Sequence, residues 1–268
     1  NSIAGIASFG GKCAFIGRVA NDQLGKVFSH DIRSIGVAYD TPASDAGLPT
    51  ARCFVLVTPD GERTMNTFLG ASTELKPGDV DGQMIADAKV TYLEGYLFDK
   101  PEAKAAFNEA AVTAREAGRK VALSLSDAFC VDRHRDDFLA LVRGGVDILF
   151  ANENEITSLY QLNTFDDAAG AVRAEAEIAV LTRSEEGSVV ISGNETIEIP
   201  AAPVDKVVDV TGAGDLYAAG FLHGLTAGSD LDTCGRLGAL AASEIISHIG
   251  ARPEKNLKEL ARGAGLLE

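Results

Sequence analysis

Between residues 90 and 182, short apolar runs of β-prone residues alternate with longer helical stretches, and this rhythm narrows the fold more than any other feature of the chain. Residues 90–93, 120–125, 146–150 and 178–182 read as strands, with helices expected over 101–117, 133–142 and 153–160. Strand–helix–strand repetition calls for parallel strands joined by helical crossovers. The run Val146-Asp147-Ile148-Leu149-Phe150 is nearly all apolar, as a strand buried on both faces should be. The expected fold class is therefore α/β, a three-layer α/β/α arrangement around a mainly parallel sheet. Residues 188–191 and 196–199 add two further short strands.

The ends of the chain depart from that rhythm. Residues 13–19 read as a strand and 23–35 as an amphipathic helix. Two β-prone runs, 52–57 and 64–69, flank the turn Thr58-Pro59-Asp60-Gly61, which is a hairpin signal. This hairpin, about residues 50–70, is the expected lid of a single domain spanning 1–268. The tail is helical over 214–225, 231–247 and 256–262. The first ten residues read as the later part of an amphipathic helix stopping at Gly10-Gly11. A helix needs something to pack on, so a segment ahead of Asn1 is expected.

Composition removes several function classes. A net charge of −15 over 268 residues disfavours nucleic acid or an anionic membrane as the main partner. It leaves room for a nucleotide, because a local group of backbone N–H donors can bind phosphate on an acidic protein. No apolar stretch reaches membrane-spanning length, and the start lacks the basic segment and apolar core of a signal peptide. Cys13, Cys53, Cys130 and Cys234 are far apart, and the four histidines show no metal-ligand spacing. A reducing, cytoplasmic setting and a small-molecule partner are expected.

In open sheets of this kind, ligands bind beyond the carboxyl ends of the strands. That rule selects Asp127, Phe129, Asn152, Glu155, Thr182, Arg183 and the loop 209–215, whose sequence is Asp-Val-Thr-Gly-Ala-Gly-Asp. An extended run over 204–210 is expected to feed that loop, and a helix follows it. Thr211, Gly212, Ala213 and Gly214 would present uncovered N–H groups at the helix start, an anion site. Asp215 puts a carboxylate beside that site. Repulsion makes this awkward for phosphate binding alone, but it suits a substrate hydroxyl lying between the two groups. The bland alternative is a strand–turn–helix junction with Asp215 favouring the helix dipole. A dinucleotide fingerprint fails because Tyr217 stands where glycine is needed, and residues 5–12 do not complete a Walker loop.

Other candidates carry paired readings. Asn152 and Glu155 can organise Mg²⁺ through water or can form a capping box. Thr182, Arg183 and Gly187 can line nucleotide phosphates or form a hairpin loop. Arg63 can clamp phosphates or be a solvated turn residue.

Together these residues resemble the ribokinase-like family of carbohydrate and nucleoside kinases. The resemblance rests on the 209–215 loop with its continuation Leu216-Tyr217-Ala218-Ala219-Gly220-Phe221, on the Asn152-to-Glu155 motif, and on the early block Phe15-Ile16-Gly17-Arg18-Val19 with Asp22 and Gly25. It implies ATP-dependent phosphorylation of a hydroxymethyl group, with Asp215 as base and Gly212, Ala213 and Gly214 as anion hole. It further implies ATP contacts from Asn152, Glu155, Thr182, Arg183, Gly187 and Thr211, with Glu155 reaching Mg²⁺ through water. Asn1 and Ser2 look like the end of the family's substrate motif, which makes Asn1 a substrate residue with Arg63. A monovalent cation, K⁺, near Asp209 and Thr211 stays open, as does monomer versus homodimer.

Within the family, Asn1-Ser2-Ile3, Leu125-Ser126 followed by Phe129, the hairpin turn, and Gly250-Ala251-Arg252-Pro253-Glu254-Lys255 are similar to the adenosine-kinase branch. This implies Phe129 against a purine, with Tyr96 and Phe98 as further candidates; a sugar kinase is the alternative, and a non-catalytic nucleotide-binding protein is a third reading that the presence of Asp215 beside the loop disfavours. One departure is Ser184, where the family often has glycine.

Overall fold

The computed structural model describes residues 1–45 and 47–268. In chain order the elements are α1 (Ser2–Ser8), α2 (Gln23–Ser34), β1 (Arg52–Val57), β2 (Arg63–Phe68), α3 (Gly82–Asp87), β3 (Val90–Glu94), α4 (Pro101–Glu116), β4 (Lys120–Ser124) and α5 (Ala128–Gly145). There follow β5 (Ile148–Asn152), α6 (Glu153–Tyr160), α7 (Phe165–Val172), β6 (Ile178–Thr182), β7 (Ser188–Ser192), β8 (Glu195–Ile199), α8 (Ala213–Ala227), α9 (Leu231–Ile245) and α10 (Leu257–Gly263). The chain divides into two compact units, one comprising Asn1–Glu74 with Pro200–Glu268 and the other Leu75–Ile199.

The Leu75–Ile199 unit holds a six-stranded sheet in the order β3-β4-β5-β6-β7-β8. Strands β3 to β6 run parallel, while β7 and β8 are antiparallel additions. Val121, Ala122 and Leu123 are all fully buried, as are Ile148 and Leu149, so the middle strands are covered on both faces. The helices begin on side-chain caps placed just after strands: Asp127 accepts from the Phe129 and Cys130 N–H groups, and Asn152 accepts from Glu155. Register aligns Glu94 with Ser124 and Asn152 with Thr182, bringing these strand ends to one edge of the sheet. The sequence pattern misses α3 and α7, both short, and starts α5 several residues late.

In the other unit, α1, α8, α9 and α10 share a core of Phe9, Leu216, Ala219, Leu237, Ile245 and Leu257. Two glycines set how close these helices come. A Cβ at Gly5 in α1 would stand 2.6 Å from the Ala219 side chain of α8. A Cβ at Gly220 in α8 would stand 2.3 Å from the Leu237 carbonyl oxygen of α9. Glycine inside a helix costs about 1 kcal/mol relative to alanine, so its use here marks backbone-to-backbone packing that no larger residue permits.

The expected hairpin forms, with β1 and β2 antiparallel and Val57 opposite Arg63. Both of its ends are fixed. At the base, Asp22 accepts from the Thr50 N–H at 2.9 Å and the Thr50 hydroxyl at 2.6 Å, and Ala71 N–H donates to the Pro49 carbonyl at 2.9 Å. The Thr50 bonds hold the Asp22 carboxyl down at about 2, so the anchor stays charged. At the turn, Val210 N–H donates to the Gly61 carbonyl at 3.1 Å.

Two expected extended segments differ. Instead of a strand over 13–19, the described residues show two isolated parallel bridges, Ala14 with Ala38 and, just beyond, Ala20 with Ser44. Between them the Gly17 N–H turns to the Thr41 hydroxyl, and Pro42 on the opposite segment has no N–H to offer. Residues 204–210 likewise form no strand.

Replacing Gly220 with alanine is expected to destabilise the fold by about 3 kcal/mol, the upper end for overpacking, because the obstacle is backbone. Urea denaturation followed by circular dichroism measures this, and an unchanged midpoint would show that α8 and α9 are not in backbone contact.

Candidate active site

The loop 209–215 is built around the Asp209 carboxylate. Its Oδ1 accepts from the Thr211 N–H at 2.9 Å and its Oδ2 from the Gly250 N–H at 3.0 Å. Burial alone would push this carboxyl up, but the bonds from Thr211 and Gly250, with Arg63 nearby, hold it below the usual range. The chain then passes through Gly212 at φ 85°, a left-handed conformation that suits glycine, and α8 starts without a side-chain cap. Gly212 also lies against Ala251, where a Cβ would meet that residue at 3.2 Å.

Because no side chain caps α8, donors remain for a ligand. Ala213 N–H is taken by the Val210 carbonyl and Leu216 N–H by the Gly212 carbonyl. Gly212, Gly214 and Asp215 have N–H groups that meet no acceptor among the described residues. A Cβ at Gly214 would meet nothing within 4 Å, so space lies open beside these donors. Uncovered N–H groups at a helix start, with open space before them, form an anion cradle.

Asp215 sits in the first turn, half-buried. Its Oδ2 accepts from the Asn1 side-chain amide at 2.7 Å, and its Oδ1 lies 3.4 Å from the Ser2 hydroxyl. The close approach of α1 to α8 at Gly5 makes these contacts possible. Arg63 joins the same unit's site, its Nη1 donating to the Val210 carbonyl at 3.4 Å. Asn1, Arg63, Thr211, Gly212, Ala213, Gly214 and Asp215 are gathered in one unit, but the Thr211 and Ala213 N–H groups, expected to be uncovered, are taken by Asp209 and Val210. Ser2 and the Gly250–Ala251 turn carried part of the resemblance but were given no role in the site. The hydroxyl next to Asn1 was the available signal for the first, and a glycine followed by alanine gave none for the second.

The remaining candidates lie in the Leu75–Ile199 unit. Asn152 and Glu155 form the capping box: Asn152 Oδ1 accepts from the Glu155 N–H at 2.9 Å, and Glu155 accepts from the Asn152 N–H at 2.9 Å and its side-chain amide at 2.7 Å. Glu155 is only 7% exposed. Burial, aided by the charge of Asp127, raises its carboxyl from an ordinary 4.5 to about 7, against the lowering effect of the Asn152 N–H. Among the described residues no three His, Cys, Asp or Glu side chains are grouped to hold a metal directly. A buried carboxylate with a raised pKa fits a cation that it reaches through water, since positive charge nearby would favour its ionised form.

Thr182 ends β6 opposite Asn152. Arg183 is already engaged, 3.3 Å from Glu153, 2.7 Å from Glu186, and stacked over the Phe165 ring. Its N–H donates to the Gly187 carbonyl at 2.8 Å, closing the loop. Ser184 in that loop has φ 51°, so the left-handed conformation that glycine favours is kept by a serine, at a cost of about 1 kcal/mol. The three aromatic candidates separate cleanly. Phe129 is 74% exposed and Tyr96 is 38% exposed, whereas Phe98 is a core residue stacked on Phe138 with ring centres 4.4 Å apart.

A model of the pfkB family of carbohydrate kinases matches residues 1–257, which takes in both units. The chain belongs to the pfkB family. A crystal structure described as a probable sugar kinase protein from Rhizobium etli CFN 42 superposes with a TM-score of 0.97 at 52% identity, over 100% of this chain and 81% of that one. The adenosine kinase from Sinorhizobium meliloti gives 0.96 at 52% identity, over 98% of this chain and 81% of that one. The adenosine kinase of Saccharomyces cerevisiae is 28% identical over 90% of this chain and 73% of its own length. The mainly parallel α/β fold is thus the ribokinase-like fold of this kinase family. Among the described residues, no helix is long and apolar enough to cross a membrane.

The raised Glu155 pKa has a measurable consequence. A carboxyl that binds its proton more tightly when folded contributes stability that is full below about 4.5 and lost as pH rises through about 7. Wild-type stability should therefore fall relative to Glu155→Gln between these two values and run level with it above them. Urea titrations across that range test this; parallel curves would show that Glu155 titrates normally.

Proposed function

We propose that this pfkB-family kinase transfers the γ-phosphoryl group of ATP to the 5′-hydroxyl of adenosine or a similar nucleoside, giving AMP and ADP. The observation that carries the proposal is Asp215, oriented by Asn1 and Ser2 in the turn that leaves the Gly212, Gly214 and Asp215 N–H groups without acceptors. Asp215 accepts the hydroxyl proton as the oxygen attacks phosphorus and the bond to the ADP oxygen breaks. The free N–H donors stabilise charge on the transferring group, and Arg63 supplies a cation beside the loop. Mg²⁺ bound with ATP would neutralise phosphate charge, and Asn152 and Glu155 would hold it through water. Thr182, Arg183 and Gly187 would contact the nucleotide, and the hairpin would serve as lid.

The nucleoside reading is supported by Phe129. A ring left 74% exposed at the start of a helix is a ready stacking surface for a base. Sugar phosphorylation is the second reading, favoured by the 52% identity to the probable sugar kinase from Rhizobium etli. A monovalent cation beside Asp209 and Thr211 is part of the same reading.

An ADP-release assay with adenosine, ribose and fructose, run in K⁺ and in Na⁺, separates these readings. Turnover with adenosine is expected, faster in K⁺; turnover with sugars alone would reject the nucleoside assignment. Asp215→Asn should lower turnover by about 10²- to 10⁴-fold with ATP affinity kept, and an active variant would exclude the base. Phe129→Ala should raise the adenosine KM by roughly 5- to 150-fold, corresponding to about 1–3 kcal/mol of stacking. An unchanged KM would remove the ring from the site.

A further inference from the structure

Helix α9 ends at Ile245, and residues 246–256 contain no helix or strand. Yet this irregular stretch supports the anion loop at three points. Ile246 carbonyl accepts from the Val208 N–H at 2.8 Å, Gly250 N–H donates to Asp209 Oδ2 at 3.0 Å, and Ala251 lies against Gly212. A stretch with no ladder of its own needs an anchor on its far side. The anchor is Glu244 in the last turn of α9, whose side chain is 2% exposed. Its Oε1 accepts the backbone N–H groups of Glu254 at 3.1 Å and Lys255 at 2.9 Å. His248, one helical turn on, places Nε2 3.3 Å from the same oxygen and Nδ1 3.8 Å from the Glu254 carboxylate.

We infer that Glu244 is a positioning residue for phosphoryl transfer: it pins the 250–255 turn, and through Gly250 and Ala251 that turn fixes Asp209 and the Gly212 corner of the anion cradle. A buried carboxylate is an expensive way to hold a surface turn, and an apolar residue would serve the α9 core better. Bonds from N–H groups to a charged acceptor are about twice as strong as neutral ones, which suits a clamp on irregular backbone. The His248 ring packs against the same carboxylate oxygen. The turn it holds is the Gly250-to-Lys255 segment, whose role the catalytic reading leaves unassigned.

The inference rests on the reading of loop 209–215 as the transfer site, and two measurements keep the two separable. In Glu244→Ala, kcat should fall by about tenfold to a hundredfold, as small misplacements of catalytic groups do, with the KM of the acceptor nearly unchanged. Glu244→Gln keeps an acceptor oxygen and should recover most of that loss. Hydrogen exchange, measured without substrates, should speed up over residues 248–256 and also over 206–216 in the alanine variant, while residues 120–180 stay as in wild type. A folded Glu244→Ala protein with wild-type kcat and unchanged exchange over 206–216 overturns the inference and leaves the kinase reading intact. Should phosphoryl transfer prove absent altogether, exchange over 206–216 still decides the coupling. If the alanine variant does not fold, Glu244→Asp takes its place: the charge is kept, but the side chain is one methylene too short to reach both N–H groups. Unchanged exchange in that variant overturns the inference equally.

Discussion

The backbone contact between α8 and its neighbours decides where the candidate base stands. Gly220 lets α8 lie directly on α9, and Gly5 lets α1 lie directly on α8. The first contact fixes the axis on which Asp215 is carried. The second brings Asn1 and Ser2 to its carboxylate. A helix packed through long side chains could slide or rotate by an ångström as rotamers change, whereas one packed through glycine has no such slack. The loss of helix propensity at these glycines is offset by that fixed geometry.

A second device acts on the loop ahead of the helix. Asp209 receives one N–H from its own loop and another from the turn after α9, so a single carboxylate joins segments that are about 40 residues apart in sequence. Its lowered pKa follows from the same bonds. On the other unit the electrostatics run the opposite way: Glu155 is buried beside Asp127, and its carboxyl is pushed up towards neutrality. The carboxylate beside the cradle is kept charged by donors, and the one proposed to meet a hydrated cation is left wanting positive charge.

Much of this was legible in the sequence. The strands β4, β5 and β6 are apolar runs with a pattern that only a buried sheet tolerates, and the glycine spacing of loop 209–215 marked the turn that opens α8. The Asn152-to-Glu155 capping box was one of the two readings that the sequence left open. What was hidden depends on tertiary neighbours. Residues 13–19 look like a strand but find only a broken partner, because Thr41 and Pro42 interrupt the opposite segment. Phe98 and Phe129 are alike in sequence, and only packing against Phe138 separates core from surface. Glu244 sits where an amphipathic pattern expects a solvated helix end, and its acceptor role depends on backbone donors ten residues later that follow no periodic rule.

The hairpin described above carries one mechanical implication. A flap with one free end swings about a hinge, but this ribbon is tied at its base through Asp22 and Pro49 and at its turn through Val210. It resembles a beam supported at both ends. Its compliant modes are bowing and torsion along its length, and torsion rotates the β1 and β2 side chains about the ribbon axis without carrying the turn away from the loop it grips. Side chains at mid-span, such as Val55 and Met65, which face each other across the ladder, would travel furthest, while Arg63 next to the tethered turn would hardly move.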